Sequence, residues 1–437
     1  MNQLRPEPSP MAFRSGSATI QFERYTLPNG LDVILHEDRK APIAHVLVWY
    51  HVGSKNESFD RTGFAHLFEH MMFQGSENVA KTEHFSYVQG VGGSLNATTG
   101  QDRTNYFQTV PREYLGLALW LESDRMRSLK VTEENFQNQL SVVKEERKQR
   151  YDNAPYGLWY MTLLDMLFGG TAYGWSPIGD MAHLDASPLD AVQAFHQVFY
   201  VPNNATLVIS GDFERDEVSR MVEEMFGGIR KGKEIERPAI VVREPSAQVR
   251  KTIVAPVPLP SVYIGFQSAA IGNADARALS ILSLILNRGR SSRLQSSLVY
   301  GSQVAQNASA FSIDMEGAGM FVALATASED ATAEQVEAEL WREIEAVRRD
   351  GVTERELGAA INHIHTSFAT SFSKLQSISD TLAYYHVLCG DASRINDLLG
   401  EYTTVTAADI RRVAEQYLRP EVAAVLYYLP GVSGNDQ

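Results

Sequence analysis

The segment HLFEH at residues 66–70 places two histidines and a glutamate where they could hold and use a metal ion. His66 and His70 are four positions apart, so on a helix both rings lie on one face, and Glu69 lies close to that face. Two neutral imidazoles suit zinc, and a carboxylate can take a proton from water that the metal has acidified. The order of residues is the inverse of the HExxH zinc motif. The spacing predicts a zinc hydrolase; the alternative is two core histidines that happen to be four residues apart.

A catalytic zinc normally has three protein ligands, so a third donor must come from elsewhere in the chain. The helix predicted after Thr132 carries two neighbouring carboxylates, Glu145 and Glu146. They follow Lys144 and the apolar pair at 142–143. A carboxylate that turned inward beside apolar residues would be costly unless it met a cation. From the residues alone, both carboxylates are candidates for the third ligand.

Length and composition restrict the class of protein. A chain of 437 residues exceeds what one core usually supports, so we expect two domains of roughly 200 residues. Its charged fraction of 21% and mean hydropathy of -0.21 are typical of a soluble globular protein. The net charge of -14 argues against a nucleic-acid partner. Cys389 is the only cysteine, which excludes an intrachain disulfide, and no apolar run approaches the ~20 residues of a membrane span.

Turn signals and apolar alternation predict the elements that position the motif. Asn29 and Gly30 separate two alternating runs, at 20–27 and 31–35, which predicts a hairpin. His84 stands among polar residues and is predicted to be solvated. The other predicted elements of the first half are a strand at 44–52, the motif helix, two short strands within 94–109, and helices at 111–128 and 132–150.

Two pairs of matching signals indicate an internal repeat. Val-Thr-Glu opens a predicted helix at Thr132 and again at Thr353, 221 positions later, and Pro202 and Pro420, 218 positions apart, each precede a predicted strand. The helix of the second copy, at 274–286, has no histidine, so only the first half carries the metal motif. We predict an α+β fold of two duplicated domains, each a mainly antiparallel sheet with helices packed on one face: a zinc-binding catalytic domain at 16–230, a linker at 231–249 and a second domain at 250–432.

Three segments together identify a family that the chain resembles. They are HLFEH, GGSLNATT at 92–99 and VVKEERKQRYDNAPYG at 142–157. They resemble the pitrilysin/insulysin family of zinc peptidases with the inverted motif, in its single-length branch, which includes the mitochondrial processing peptidase subunits and bacterial relatives. The resemblance covers nearly the whole chain, and it identifies the protein as similar to a bacterial zinc-binding subunit.

The resemblance implies roles for particular residues. It implies one zinc per chain, with His66, His70 and Glu146 as ligands and Glu69 as the base that activates water. Glu145 is then the outward neighbour and the alternative ligand. Many relatives have a second glutamate seven residues before the ligand glutamate, and here that position is Gln139, whose amide could still hydrogen-bond a ligand or the substrate.

Two residues of the edge strand after Gly93 correspond to family positions that contact the substrate backbone. They are Asn96 and Ala97. The alternative for Asn96 is that its side chain stabilises its own turn.

The second half departs from the family pattern. Family members that act alone or as homodimers carry there an arginine and, seven residues later, a tyrosine that stabilise the oxyanion. Here the two positions are Val299 and Gln306, and Tyr300 is one residue out of register. The resemblance therefore implies a heterodimer, in which a homologous subunit without the zinc motif supplies the arginine and tyrosine.

The resemblance and the motif together predict a zinc-dependent endopeptidase that hydrolyses unfolded peptides in a closed chamber. The alternative is a non-catalytic core subunit of the same fold, which the intact motif disfavours. Bacterial relatives of this length are often exported, so we expect the mature chain in the periplasm, with the cytoplasm as the alternative.

Overall fold

The computed structural model describes residues 19–237 and 239–431. The first half is built on a six-stranded sheet in the order β1-β2-β6-β3-β5-β4, in which β2 and β6 are parallel and the other neighbours are antiparallel. The strands are β1 (Glu23–Thr26), β2 (Asp32–Glu37), β3 (Ile43–Tyr50), β4 (Ser94–Thr99), β5 (Thr104–Pro111) and β6 (Ala205–Gly211).

The second half repeats this sheet with one strand fewer. Its order is β7-β11-β8-β10-β9, with β7 and β11 parallel, which matches β2-β6-β3-β5-β4 strand for strand. The strands are β7 (Val249–Ala255), β8 (Ser261–Ser268), β9 (Ala305–Asp314), β10 (Gly319–Ala327) and β11 (Ala424–Pro430). The shared order confirms the duplicated, mainly antiparallel fold.

Helices complete both halves. Those of the first half are α1 (Phe64–Met71), α2 (Glu83–Gly90), α3 (Leu115–Ser128), α4 (Glu133–Arg147), α5 (Trp159–Phe168), α6 (Met181–Asp185), α7 (Leu189–Phe199) and α8 (Arg215–Phe226). Those of the second half are α9 (Ala274–Asn287), α10 (Ala333–Asp350), α11 (Glu354–Ser371), α12 (Leu375–Cys389), α13 (Leu398–Thr403) and α14 (Ala407–Tyr417). Among the described residues, none of the helices has both the length and the apolar composition needed to cross a bilayer.

The predicted hairpin is present, and its turn also attaches a helix. Gly30 has φ +89°, a conformation that favours glycine, and the Leu27 and Leu31 backbones pair across the turn. The Asn29 amide donates to the carbonyl of Phe226, the last residue of α8, and to that of Ile229 just after it. The strong turn signal thus closes β1 on β2 and packs α8 against them.

Each half also contributes a helix to the other half's sheet. The α12 side chains Ile378 and Leu382 are buried against Leu47 and Val208 of the first sheet. In the opposite direction, α5 packs on β8 and β11 of the second sheet. Helices of the same half, such as α3 and α10, cover the other face of each sheet. Because apolar burial crosses between the halves, the division into domains at 16–230 and 250–432 with a linker at 231–249 stays a prediction. Of these predicted ranges, residues 16–18, 238 and 432 lie outside the described residues.

Candidate active site

The motif helix α1 begins at a cap that a distant carboxylate provides. Gly63, with φ +97°, precedes the helix, and the Glu57 carboxylate accepts the N–H groups of Gly63 at 2.9 Å and Ala65 at 2.8 Å. The Trp175 indole also donates to Glu57, at 2.9 Å. Burial raises the pKa of Glu57 to about 8, while the N–H donors favour its charged form. An acceptor at this point satisfies the free N–H groups of the first turn and fixes where α1 starts.

Three side chains that could donate an atom to a metal ion converge beside α1. Nε2 of His66 lies 3.6 Å, and Nε2 of His70 3.2 Å, from Oε2 of Glu146. Across the described ranges, these three form the one group of histidine, cysteine or acidic side chains whose donor atoms all lie within 4.8 Å of one another. Burial lowers the pKa of His66 to about 4, and the hydrogen bond from His70 lowers the pKa of Glu146. Both shifts favour the protonation states that metal ligands need.

Helix α4 selects Glu146 over Glu145. Val143, three residues before Glu146, is fully buried, whereas Val142, three residues before Glu145, is 44% exposed. Residues three apart share a helix face, so Glu146 points inward with Val143 and Glu145 points to solvent. Consistent with this, Glu145 is exposed and accepts a hydrogen bond from Gln149 at 3.0 Å.

The donor set fits a zinc ion. Two imidazole nitrogens and one carboxylate oxygen are a ligand set of catalytic zinc sites, and they leave a position for water or substrate. The Arg150 guanidinium lies 2.6 Å from Oε1 of Glu146, so the other carboxylate oxygen, Oε2, faces the histidines. Such an outer partner orients a ligand, as is usual around protein-bound metals.

Glu69 lies beside these donors and is held by a residue of β4. The Thr99 hydroxyl donates to Oε2 of Glu69 at 2.6 Å. Burial raises the pKa of Glu69, and the hydrogen bond from Thr99 opposes that rise. A half-buried carboxylate with a raised pKa and one fixed oxygen has the properties of a general base.

A cleft of about 620 Å³ opens in front of the site. Asn96, exposed, and Ala97, buried, line it from β4, which is the edge strand of the first sheet. Besides the residues of the candidate site, the cleft wall contains a group of apolar and aromatic side chains: Phe73, Phe85, Tyr151, Tyr160, Pro177 and Ile178. The cleft therefore runs along a strand edge whose backbone can pair with an extended chain.

Other predicted site residues lie away from the donors. Gln139 is buried, and its amide donates to Asn138 at 2.8 Å. Val299 is half-buried against the second core, in a π-helical turn at Gln295–Gly301, and Gln306 is exposed on β9. Tyr300 is 53% exposed. The residues that line the cleft in the described part of the chain include none of these four.

The prediction for His84 is wrong. Its side chain is buried, with 4% of its surface exposed, and it packs edge-on against Phe73 at 5.6 Å between ring centroids. Burial lowers its pKa well below the ordinary value. The polar neighbours in sequence face solvent, while α2 turns this one ring inward.

Sequence reasoning missed three residues that support the site: Thr99, Glu57 and Trp175. Thr99 stands in the segment GGSLNATT, so a prediction that this segment forms a strand beside α1 would have placed Thr99 near the site. Glu57 and Trp175 are 118 positions apart, and no local signal connects them.

The fold and the converging donors define a class of protein, the two-domain metallopeptidases with an inverted zinc motif, and comparisons with known proteins identify the family. Residues 32–171 match the profile described as insulinase (peptidase family M16), and residues 188–364 match the profile described as the peptidase M16 inactive domain. The chain belongs to peptidase family M16.

Individual relatives are similar over almost the whole chain. A zinc protease of Helicobacter pylori named PqqE is 29% identical over 94% of this chain and 93% of its own length. A probable mitochondrial-processing peptidase subunit beta of Arabidopsis thaliana is 24% identical over 92% of this chain and 77% of its own length. The crystal structure of a protease from Helicobacter pylori superimposes with a TM-score of 0.90 at 27% identity, covering 94% of this chain and all of that one.

Proposed function

We propose that the protein is a zinc-dependent endopeptidase subunit that hydrolyses unfolded peptides. The observation that carries the proposal is the convergence of His66, His70 and Glu146 beside the half-buried Glu69, in a cleft along an open strand edge. Relatives that are named zinc proteases support it. One zinc ion per chain would be held by the three converging side chains.

In this proposal the chain's own residues move the proton. Zinc, when bound, supplies a Lewis acid that polarises the peptide carbonyl and acidifies water. Thr99 occupies Oε2 of Glu69, so Oε1 takes the proton of the attacking water and later passes it to the leaving amine. Arg150 keeps Glu146 turned toward the histidines throughout.

The substrate would bind as an added strand beside β4. An extended peptide would pair with the free backbone edge, and the exposed Asn96, which lines the cleft, would hydrogen-bond the peptide backbone. Aromatic side chains of the cleft then contact the residues next to the scissile bond. A closed chamber would require a second wall, because the residues that line the cleft in the described part of the chain all come from the first half.

We further propose that a homologous partner supplies this wall and the oxyanion donors. The family's arginine and tyrosine positions are Val299, half-buried in the second core, and Gln306. Loss of an oxyanion donor costs about 2.7–4 kcal/mol in the transition state, so the isolated chain should cleave peptides slowly. The double change Val299→Arg with Gln306→Tyr should raise the turnover of the isolated chain, and a rate no different from wild type would argue against the assignment.

The test of the metal site separates binding from catalysis. Zinc content and fluorogenic peptide cleavage are measured for the wild type, for His66→Ala and for Glu69→Gln, with the partner present for the cleavage assay. His66→Ala should lose zinc, whereas Glu69→Gln should retain it and lose turnover, because an amide cannot take a proton. If Glu69→Gln kept most of its activity, Glu69 would not be the base.

The same measurements bear on the alternative, a non-catalytic subunit of the same fold. That function predicts no zinc in the purified wild type and no cleavage with any partner. The converging donors disfavour it, because a structural subunit has no need of them.

For location we propose the periplasm. Bacterial relatives of this length are often exported, and a chain with the single cysteine Cys389 forms no intrachain disulfide in an oxidising compartment. Cell fractionation that recovered the protein with cytoplasmic markers would favour the alternative.

A further inference from the structure

A short segment between α5 and α6 is attached to the start of the motif helix. We call residues 175–180 the bridging segment. At one end, the Trp175 indole donates to the Glu57 carboxylate that caps α1. At the other end, the backbone N–H of Asp180 donates to the Thr62 hydroxyl at 2.9 Å, two residues before α1 begins. The segment thereby fixes the first turn of the helix that carries both histidines.

The same segment is attached to α4, which carries the third donor. The carbonyl of Gly179 accepts a hydrogen bond from Nη1 of Arg147 at 2.5 Å, and Arg147 directly follows Glu146. One turn earlier on α4, Lys144 pairs with Asp185 at the end of α6. Two cationic side chains of α4 therefore anchor it to the bridging segment and to the helix after it.

Gly179 allows the bridging segment to lie close to both α1 and α4. Its φ is +69°, and a Cβ atom there would lie 2.3 Å from the backbone nitrogen of Gly63 and 2.5 Å from the backbone carbon of Thr62. Side chains essentially never approach a backbone atom so closely, so any other residue must push the segment away from α1. The absence of a side chain at this position lets the segment lie against the first turn of α1 and contact α4 at the same time.

We propose that the bridging segment sets the spacing between α1 and α4, and that Trp175 and Gly179 are positioning residues for the metal donors His66, His70 and Glu146. The inference rests on the proposed function, since it assigns the segment a role in zinc binding. The donors lie on two helices, and a binding geometry must be held to within about 0.5 Å. A methyl group added at Gly179 would have to push the segment away from α1 by more than that tolerance.

The test compares two glycines that share a backbone conformation. Gly179→Ala introduces the clash, whereas Gly170→Ala is the matched control, because Gly170 has φ +76° and nothing within 4 Å of the added Cβ. The zinc dissociation constant is measured by chelator competition, and the cobalt(II) absorption spectrum reports ligand geometry. We expect Gly179→Ala to weaken zinc binding by about tenfold or more and to alter the cobalt spectrum. Gly170→Ala should leave both unchanged, although the two variants carry similar backbone strain.

A second variant preserves the test if Gly179→Ala does not fold. Trp175→Phe keeps an aromatic ring beside Phe59 and removes the N–H that reaches Glu57. Its control is Trp341→Phe, which removes an indole hydrogen bond to Glu337 in the second half. Both variants should lower thermal stability, but only Trp175→Phe should weaken zinc binding and change the cobalt spectrum.

The outcomes separate this inference from the proposed function. Normal zinc binding by the wild type, with Gly179→Ala and Trp175→Phe indistinguishable from their controls in affinity and spectrum, would overturn the positioning role alone. A wild-type chain that binds no zinc would overturn the proposed function and this inference together.

Discussion

A buried charge cluster joins the second half to the loop that follows Thr99, and removing one of its charges should cost measurable stability. Nζ of Lys55 lies 2.9 Å from Oδ1 of Asp102 and also contacts the Glu316 carboxylate. The backbone N–H of Glu316 donates to Oδ2 of Asp102 at 2.9 Å, and Nε2 of His51 lies 2.7 Å from Glu316. The side chains of Lys55 and Asp102 are only 7% and 6% exposed. The turn between β9 and β10 is thus held against the first half by Lys55 and Asp102, which are buried, and by Glu316, whose side chain is 32% exposed.

The expected magnitude follows from the burial and from the pKa of Glu316. Burial alone would raise that pKa, but the hydrogen bond from His51 and the charge of Lys55, joined at low pH by the charge of His51, lower it from 4.5 to about 2. A pKa difference of this size between the unfolded and folded states corresponds to roughly 3 kcal/mol of stability at neutral pH. Because the Glu316 side chain is partly exposed, solvent screening reduces this to about 2 kcal/mol. Glu316→Gln should lose that amount. Lys55→Met should cost more, about 3–5 kcal/mol, because it leaves buried carboxylates without a cation.

Urea unfolding at pH 7 measures both changes, with Glu113→Gln as the control. Glu113 is 63% exposed beside Arg112, so its loss should change the free energy of unfolding by less than about 0.5 kcal/mol. Because the pKa of Glu316 is lower in the folded state, its contribution is complete above about pH 4.5 and is lost as the pH falls toward 2. The difference between wild type and Glu316→Gln should shrink over that window. A difference below about 0.5 kcal/mol at pH 7, or one that does not change with pH, would refute the assignment of this cluster as a stabilising contact.

Three further predictions concern the site and the two halves. Thr99→Val removes a hydrogen bond to a charged group worth about 1.5–3 kcal/mol, so kcat should fall by about 10–100-fold at unchanged zinc content. The acid limb of its pH profile should also move to higher pH, because the Thr99 hydroxyl lowers the pKa of Glu69; an unchanged profile would contradict this. Arg150→Ala should weaken zinc binding by about tenfold in a chelator competition, and an unchanged affinity would show that Glu146 needs no outer partner. Limited proteolysis within 231–249 should yield two fragments that co-elute on size exclusion, since α5 and α12 each pack on the other half's sheet; fragments that separate would contradict this.

The elements that could be predicted from the sequence are those with strong local signals. The Asn29-Gly30 turn, the apolar run of β3 and the HxxEH spacing each lie within about ten residues, and the structure has the hairpin, the strand and the helix. The third donor needed more than local pattern, because Glu145 and Glu146 differ by one position, or about 100° around a helix. Resemblance to a family distinguished them, and the opposite burial of Val142 and Val143 gives the physical reason.

The features that escaped prediction depend on contacts between distant segments. His84 looked solvated because its neighbours are polar, yet tertiary packing against Phe73 buries it. The exchange of α5 and α12 between the sheets has no local signature, since each helix only shows an apolar face and not which sheet will cover it. The same holds for Glu57, which caps a helix that begins seven residues further on and accepts a hydrogen bond from Trp175 of a remote loop.

The duplication explains why one half can lose the metal site without losing the fold. In the second copy α9 has no histidine, and its Leu282 and Leu286 are fully buried in the core of that half. The second half instead supports the first, through α12 on β3 and β6 and through Glu316 against the loop after β4. In the proposed function, Val299 and Gln306 stand at the positions of the oxyanion donors, so this half would support the fold without supplying those donors. The same proposal assigns those donors to another subunit, so we expect the chain to bind zinc alone and to reach full turnover only in a heterodimer.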